Sequence, residues 1–126
     1  MQEKHLFDYA IIRVVPRVER EEFINVGVIL YCPKSKQLHS AIRLDEARLR
    51  AVFPDVDLED IRQHLNAFQR ISEGTEGAGP IGEMDTASRF RWLTAKRSTM
   101  IQTSAVHPAF CRNLTEKLEQ LMREQV

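Results

Sequence analysis

Two short stretches of this chain concentrate side chains that recognise anions. Arg13, Arg17 and Arg20 alternate with Glu19, Glu21 and Glu22 in "RVVPRVEREEFIN", which ends at Asn25, and Arg89, Arg91, Lys96 and Arg97 punctuate "SRFRWLTAKRST". A guanidinium projects a rigid fork that matches a carboxylate or a phosphate, and acids nearby can hold that fork in place. In the first stretch the candidates are Arg13, Arg17, Glu19, Arg20, Glu22 and Asn25. They form either an internal ion network that closes a hairpin, with Gly27 relieving a clash, or a binding surface that Gly27 leaves open to approach. In the second, Arg89, Arg91, Trp92, Arg97 and Ser98 are the candidates. No acid follows them until Glu116, and the interleaved aromatics suit phosphate contacts with base stacking, or an acidic partner surface. The plain alternative is an amphipathic segment that buries Phe90 and Leu93 and turns its cations to water.

Other chemistry is thinly supported. His5, His39, His64 and His107 show no metal-ligand spacing, and the glycine-rich stretch lacks the lysine of a phosphate loop. Ser88, Ser98 and Ser104 sit in no nucleophile elbow. Glu19, Glu21 and Glu22, with Asp8 approaching, are the one set that suggests a divalent cation and a metal-dependent phosphodiesterase or nuclease. No cofactor and no catalytic residue is expected from these patterns.

The elements that must position these residues follow from periodicity. Leu6 to Val15 and Phe23 to Cys32 are rich in β-branched and aromatic residues, and each is stopped by a proline, so both read as strands of an N-terminal hairpin. Antiparallel pairing around residues 16–22 sets Val15 near Phe23, Arg13 near Asn25 and Ile11 near Gly27, with Ile24, Val26, Val28, Leu30 and Cys32 sharing one face. A turn over Pro33 to Lys36 leads to a third strand, Gln37 to Leu44. Asp45 and Asp57 cap two helices, the second stopped by Gly74. Gly74 to Thr86 reads as a mobile loop, Phe90 to Leu93 as a helical turn and Ser98 to Thr103 as a strand. Asn113 and Glu116 start a last helix with Leu114, Leu118, Leu121 and Met122 on one stripe. That stripe covers the sheet or pairs with a second copy, and covering the sheet is preferred. The sum is a single α+β domain over residues 1–126: a mainly antiparallel sheet of about four strands with an N-terminal β-hairpin, packed against three to four helices.

Bulk properties agree. The 126 residues carry 18 basic and 18 acidic side chains, a formal net charge of zero, and 43% hydrophobic residues. Such a chain folds around one core, and its balance argues against general binding to nucleic acid by phosphate neutralisation. No apolar run is long enough to span a membrane and no secretory leader is evident, so a cytoplasmic location is expected, with Cys32 and Cys111 as reduced, largely buried thiols.

The segments "YAIIRVVPRVEREEFINVGVILYCP" and "SRFRWLTAKRSTMIQTSAVHPAFC" together resemble the DUF3037 family over nearly the whole chain. The motif R-V-x-P-R-x-E-R-x-E-x-x-N-x-G-V is matched at Arg13, Pro16, Glu19, Arg20, Glu22, Asn25 and Gly27. The second segment is matched at Arg89, Phe90, Trp92, Leu93, Arg97, Ser98 and His107, while Lys96 replaces an expected proline or variable residue. The resemblance implies a small bacterial, cytoplasmic protein of unknown function, and it suggests as partner a HipA-like kinase encoded beside it. The favoured reading is a non-catalytic module that binds a protein partner, with Arg17, Glu19 and Arg20 beside Arg89, Arg91 and Arg97 on one surface and Trp92 as an exposed anchor. The alternatives are a nucleic-acid or nucleotide-phosphate binder using Arg91, Lys96, Arg97 and Ser98, and the metal-dependent phosphodiesterase.

Overall fold

A computed structural model describes residues 4–126. Five strands are seen among them: β1 (His5–Val14), β2 (Ile24–Cys32), β3 (Gln37–Ile42), β4 (Ile101–Thr103) and β5 (His107–Cys111). The helices are α1 (Glu46–Val52), α2 (Leu58–Glu73), α3 (Gly79–Gly82), α4 (Thr86–Thr94) and α5 (Leu114–Gln125), with a single 3-10 turn at Val18–Arg20. The strands form one antiparallel sheet in the order β3-β2-β1, and β4 and β5 both lie on the far side of β1. The α+β class and the N-terminal hairpin are therefore as the periodicity predicts.

β4 and β5 act as one interrupted strand. β4 pairs with the Ile12–Val14 end of β1 and β5 with its His5–Tyr9 end. In the gap, the buried Ile11 N–H donates to the Ser104 hydroxyl at 2.8 Å, and the Ser104 N–H donates back to the Ile11 carbonyl at 2.8 Å. A side chain thus replaces a main-chain acceptor where the ladder breaks, and no backbone donor is stranded there. β5 is the strand that sequence reading misses. Its Pro108 has no N–H to give, which restricts it to an edge and masks the strand pattern.

The β1–β2 register carries a correction. Arg13 pairs with Asn25 as expected, but Ile11 pairs with Val28 and Ile12 with Gly27. Val26 is therefore an extra residue, a β-bulge that reverses the side-chain alternation of β2. Ile24 and Val26 join Ala10, Ile12, Val14 and Ile29 in the core beneath α1, α2 and α4, whereas Val28, Leu30 and Cys32 join Phe7 and Ile11 beneath α5. The expected single apolar face of five residues is in fact divided between the two sides of the sheet. Gly27 is required by backbone proximity: a Cβ there would stand 2.3 Å from the Ala41 carbonyl oxygen of β3.

The helix layer on one side contributes Leu49, Phe53, Leu58, Ile61, Leu65, Phe68, Phe90 and Leu93. On the other, Leu114 and Leu121 of α5 are buried against the sheet, so the last helix covers it. Asp45, Asp57 and Asn113 cap α1, α2 and α5, accepting from the N–H groups of Arg48, Asp60 and Glu116. The Phe90–Leu93 turn is part of a full helix, α4, because Asp85 caps it, and the glycine-rich stretch before it contains the short helix α3. The strand expected over Ser98–Thr103 is confined to Ile101–Thr103. Cys32 is buried, Cys111 is only half-buried, and both are free thiols. Among the described residues no helix is long and apolar enough to cross a membrane.

Replacing Ser104 by alanine strands the buried Ile11 N–H. Urea denaturation should show a loss of about 1–3 kcal/mol, and an unchanged midpoint would mean that water or a shifted backbone serves that donor instead.

Candidate functional site

Arg13 occupies the middle of a polar row across the sheet. β1 alternates, so Arg13 follows Phe7 and Ile11 onto the α5 side. The β2 bulge turns Asn25 to the same side, and β4 brings in Gln102, whose register partner is also Arg13. Asn25 donates from Nδ2 to the Gln125 carbonyl at 3.1 Å, and Gln102 donates from Nε2 to the Thr99 carbonyl at 2.8 Å. Two polar atoms in this row are buried without a hydrogen-bond partner, Arg13 Nε and Asn25 Oδ1. The Arg13 guanidinium sits over Phe23, its Cζ 4.0 Å from the ring centroid. Stacking uses the face of the guanidinium and leaves its N–H edge for an in-plane acceptor.

The hairpin turn leans over this row. Its 3-10 turn closes with the Glu21 N–H on the Val18 carbonyl, which places Glu21, a non-glycine residue, at φ 60°, in the left-handed region. Such a conformation costs on the order of 1 kcal/mol, and here it sets the Glu21 side chain at the rim of a cavity. That cavity, of about 410 Å³, is lined by Arg13, Val15, Val18, Glu21 and Phe23 from the hairpin and by Lys96, Arg97, Ser98 and Gln102 from the segment after α4. The two charged stretches of the sequence therefore do meet, on either side of one concavity.

Several predicted residues have other work. Arg17 pairs with Glu19 at 3.9 Å and Arg20 with Glu22, all four exposed at the outer side of the turn. Arg17 and Arg20 line a second groove, of about 440 Å³, together with Asp55, Asp57, Val52 and Met100. There two cations face two acids, which leaves no charge for an external anion. Arg89 is a clamp: it donates from Nε to the Met84 carbonyl at 2.9 Å and from Nη1 to the Ile71 and Ser72 carbonyls at 2.9 and 3.0 Å. Those last two carbonyls lie in the final turn of α2, where Ile71 also accepts the Gly74 N–H and the helix dipole favours a cation. Gly74, at φ +65°, lets it in, since a Cβ there would sit 2.7 Å from Arg89 Nη1. Arg91 is exposed and donates to the Ser88 hydroxyl at 3.2 Å. The single surface expected to join Arg17, Glu19 and Arg20 to Arg89, Arg91 and Arg97 is thus redrawn, with Arg13, Lys96, Arg97 and Ser98 at its centre.

Trp92 is half-buried against the helix-side core, and Arg97 covers its ring with Cζ 3.9 Å from the centroid while donating to the Trp92 carbonyl. The ring is a pedestal for Arg97, not the exposed anchor expected of it. Among the described residues no ion pair engages Arg13, Lys96 or Arg97. Such a hollow can hold an anion between stacked guanidinium groups, with a hydroxyl and an amide as further donors. No three of the described His, Cys, Asp and Glu residues come together as a metal-binding group, and Asp8 lies opposite Tyr31 and Pro108, towards the end of β1 remote from the hairpin turn.

Lys96 and Ser98 stand out in the sequence as polar residues, but Val18, Phe23 and Gln102 do not. The one available signal for Gln102 is the alternation of a strand that turns out to be three residues long. Of the titrating groups, the Asp85 carboxyl is held below its ordinary value of 3.8 chiefly by the Ser88 hydroxyl and then by the Ser88 N–H it caps. The Cys111 thiol is raised by burial and secondarily by its neighbour Cys32, which makes it a poor nucleophile.

Arg89→Ala should cost about 2–3 kcal/mol in urea denaturation, with Arg89→Lys recovering only part, because a lysine cannot bridge the Met84 carbonyl and the α2 terminus together. A variant as stable as the wild type would remove Arg89 from the structural account. Asp85 has a lowered folded pKa, so its support for α4 is complete above the unfolded value and is lost as pH falls through the folded one. The protection factor of the Ser88 amide, its exchange rate relative to the intrinsic rate at the same pH, should fall over that acidic range, and in an Asp85→Asn variant this acid-induced change should be absent.

The family described as "Protein of unknown function (DUF3037)" matches residues 9–126. A search of curated proteins and a search of solved structures each find no match. With the match running from β1 through α5, and so over both walls of the cavity, the chain belongs to the DUF3037 family.

Proposed function

We propose that this domain is a non-catalytic interaction module of the bacterial cytoplasm that grips an anionic group of a protein partner in the cavity between the hairpin turn and the segment after α4. One observation carries this reading: Arg13 and Phe23 from one end of the chain and Lys96, Arg97 and Ser98 from the other line a single hollow of about 410 Å³. Its size suits a side chain or a short peptide turn. Stacking on Phe23 and Trp92 fixes the two guanidinium groups before any partner arrives, so less freedom is lost on binding. The HipA-like kinase suggested by the family resemblance is the partner to test first.

Nucleic acid fits less well. The tryptophan that base stacking would need is covered by Arg97, and the net charge of zero provides no extended phosphate track.

Tagged wild type and a Lys96→Glu variant, both shown to be folded by circular dichroism, should be compared for retention of the purified kinase. The expected result is retention by the wild type that weakens as salt rises and falls about tenfold or more in the variant. Equal retention by both proteins would remove the cavity from the interface. Nucleic acid co-purifying in place of protein, and released by salt, would sink the reading.

A further inference from the structure

We infer that the group this cavity takes is a phosphate monoester, borne on a phosphorylated side chain of the partner; the inference rests on the interaction-module reading above. Three cations, Arg13, Lys96 and Arg97, face one carboxylate, Glu21, in the lining, which leaves a net charge of two positive. A carboxylate brings one negative charge and a phosphate monoester about two at neutral pH, so only the phosphate balances the site.

The donors agree with this charge count. Arg13 Nε is buried with no acceptor in the protein. Arg13 and Arg97 each place Cζ over a ring, Phe23 and Trp92, and a guanidinium stacked in this way offers its donors in its own plane. Lys96 is exposed at the opposite wall, and the Ser98 hydroxyl adds a neutral donor. An acceptor with three oxygens arranged off one plane reaches donors on both walls more readily than a planar carboxylate does.

The rest of the lining distinguishes an ester from free phosphate. Val15, Val18 and Phe23 give the hairpin wall an apolar surface. Free phosphate has nothing to place there, whereas the methyl and methylene groups of a phosphorylated threonine or serine do. Glu21 is the counterweight. Glu21, with its backbone in the left-handed region, lowers the affinity for every anion, and the remaining charge of two positive attracts a dianion about twice as strongly as a monoanion.

The test is a titration of the ¹⁵N-labelled domain, followed by NMR at constant ionic strength, with four probes: inorganic phosphate, phosphothreonine blocked at both ends, blocked threonine, and acetate. Saturable shifts at Lys96, Arg97, Ser98, Gln102 and the Arg13 Nε–H are expected with phosphothreonine. Inorganic phosphate should bind at the same place several-fold more weakly, and threonine and acetate should leave these signals unmoved. Lys96→Ala should weaken phosphothreonine about tenfold, and Glu21→Gln should tighten it several-fold, opposite signs that a general loss of structure does not produce.

Acetate saturating the same signals as tightly would overturn the phosphate assignment. Inorganic phosphate binding as tightly as phosphothreonine would overturn the side-chain source. Shifts spread over the surface and insensitive to both substitutions would reduce the site to counter-ion condensation. Kinase retention that depends on Lys96 without any phosphate response would sink this inference and leave the module reading standing. Phosphothreonine binding without kinase retention would keep the phosphate assignment and exclude this kinase as the partner that bears it.

Discussion

The single extra residue in β2 decides where everything else goes. With Val26 inserted opposite the Ile12–Arg13 step, β2 sends Ile24 and Val26 into the helix-side core and Asn25 to the other face. Without it, strict alternation would leave two aliphatic side chains beside Arg13 and put Asn25 among Ile12, Val14 and Phe90. A buried amide in that company would lack partners, at a cost of a few kcal/mol. The bulge is tolerable because Gly27 lets the β3 backbone close over it, with the Arg43 N–H donating to the Val26 carbonyl at 2.6 Å. Hydrophobic sorting, the polar row and the seat of α5 all descend from this local irregularity.

The same device appears twice around the cavity. Arg13 on Phe23 and Arg97 on Trp92 are each a cation laid on a ring, one from a strand and one from the loop after a helix. An arginine in open solvent samples many rotamers, whereas one held flat against an aromatic keeps its fork pointing one way. Among the described residues the two arginines are thus positioned without an ion pair, and with Lys96 they outnumber the one acid of the lining, Glu21.

The architecture was legible in the sequence to the extent that local rules governed it. Asp45, Asp57, Asn113 and Gly74 announced their helix ends because capping is a matter of adjacent residues. Arg13 opposite Asn25 followed from counting outward from the turn. Non-local causes stayed hidden. A bulge leaves no mark on composition, so strict alternation groups Ile24 and Val26 with the wrong neighbours. Arg89 reads as one more exposed cation until α2 and α4 are side by side, and then its place at three carbonyls removes it from the surface charge. Trp92 looked like an anchor for want of any sign that an arginine five residues later would cover it. The sequence shows the meeting of the two basic segments only in outline, because which members meet depends on the short pairing of β4 with β1.

The interrupted ladder at Ser104 has a bearing on how the chain reaches this state. β1 is central, yet one of its sides is served by residues far along the chain: the Ile11 and Ser104 partners are 93 positions apart. During synthesis the hairpin and β3 can assemble early, while the remaining flank of β1 stays an open row of donors and acceptors until the last elements emerge. That flank includes Ile11 and Ile12, both buried apolar residues of the finished domain. Exposed strand edges of this kind are where nascent chains recruit one another or a chaperone. Closure by two short strands, one of them interrupted by proline, then gives a sheet whose final edge is a poor template for further strands.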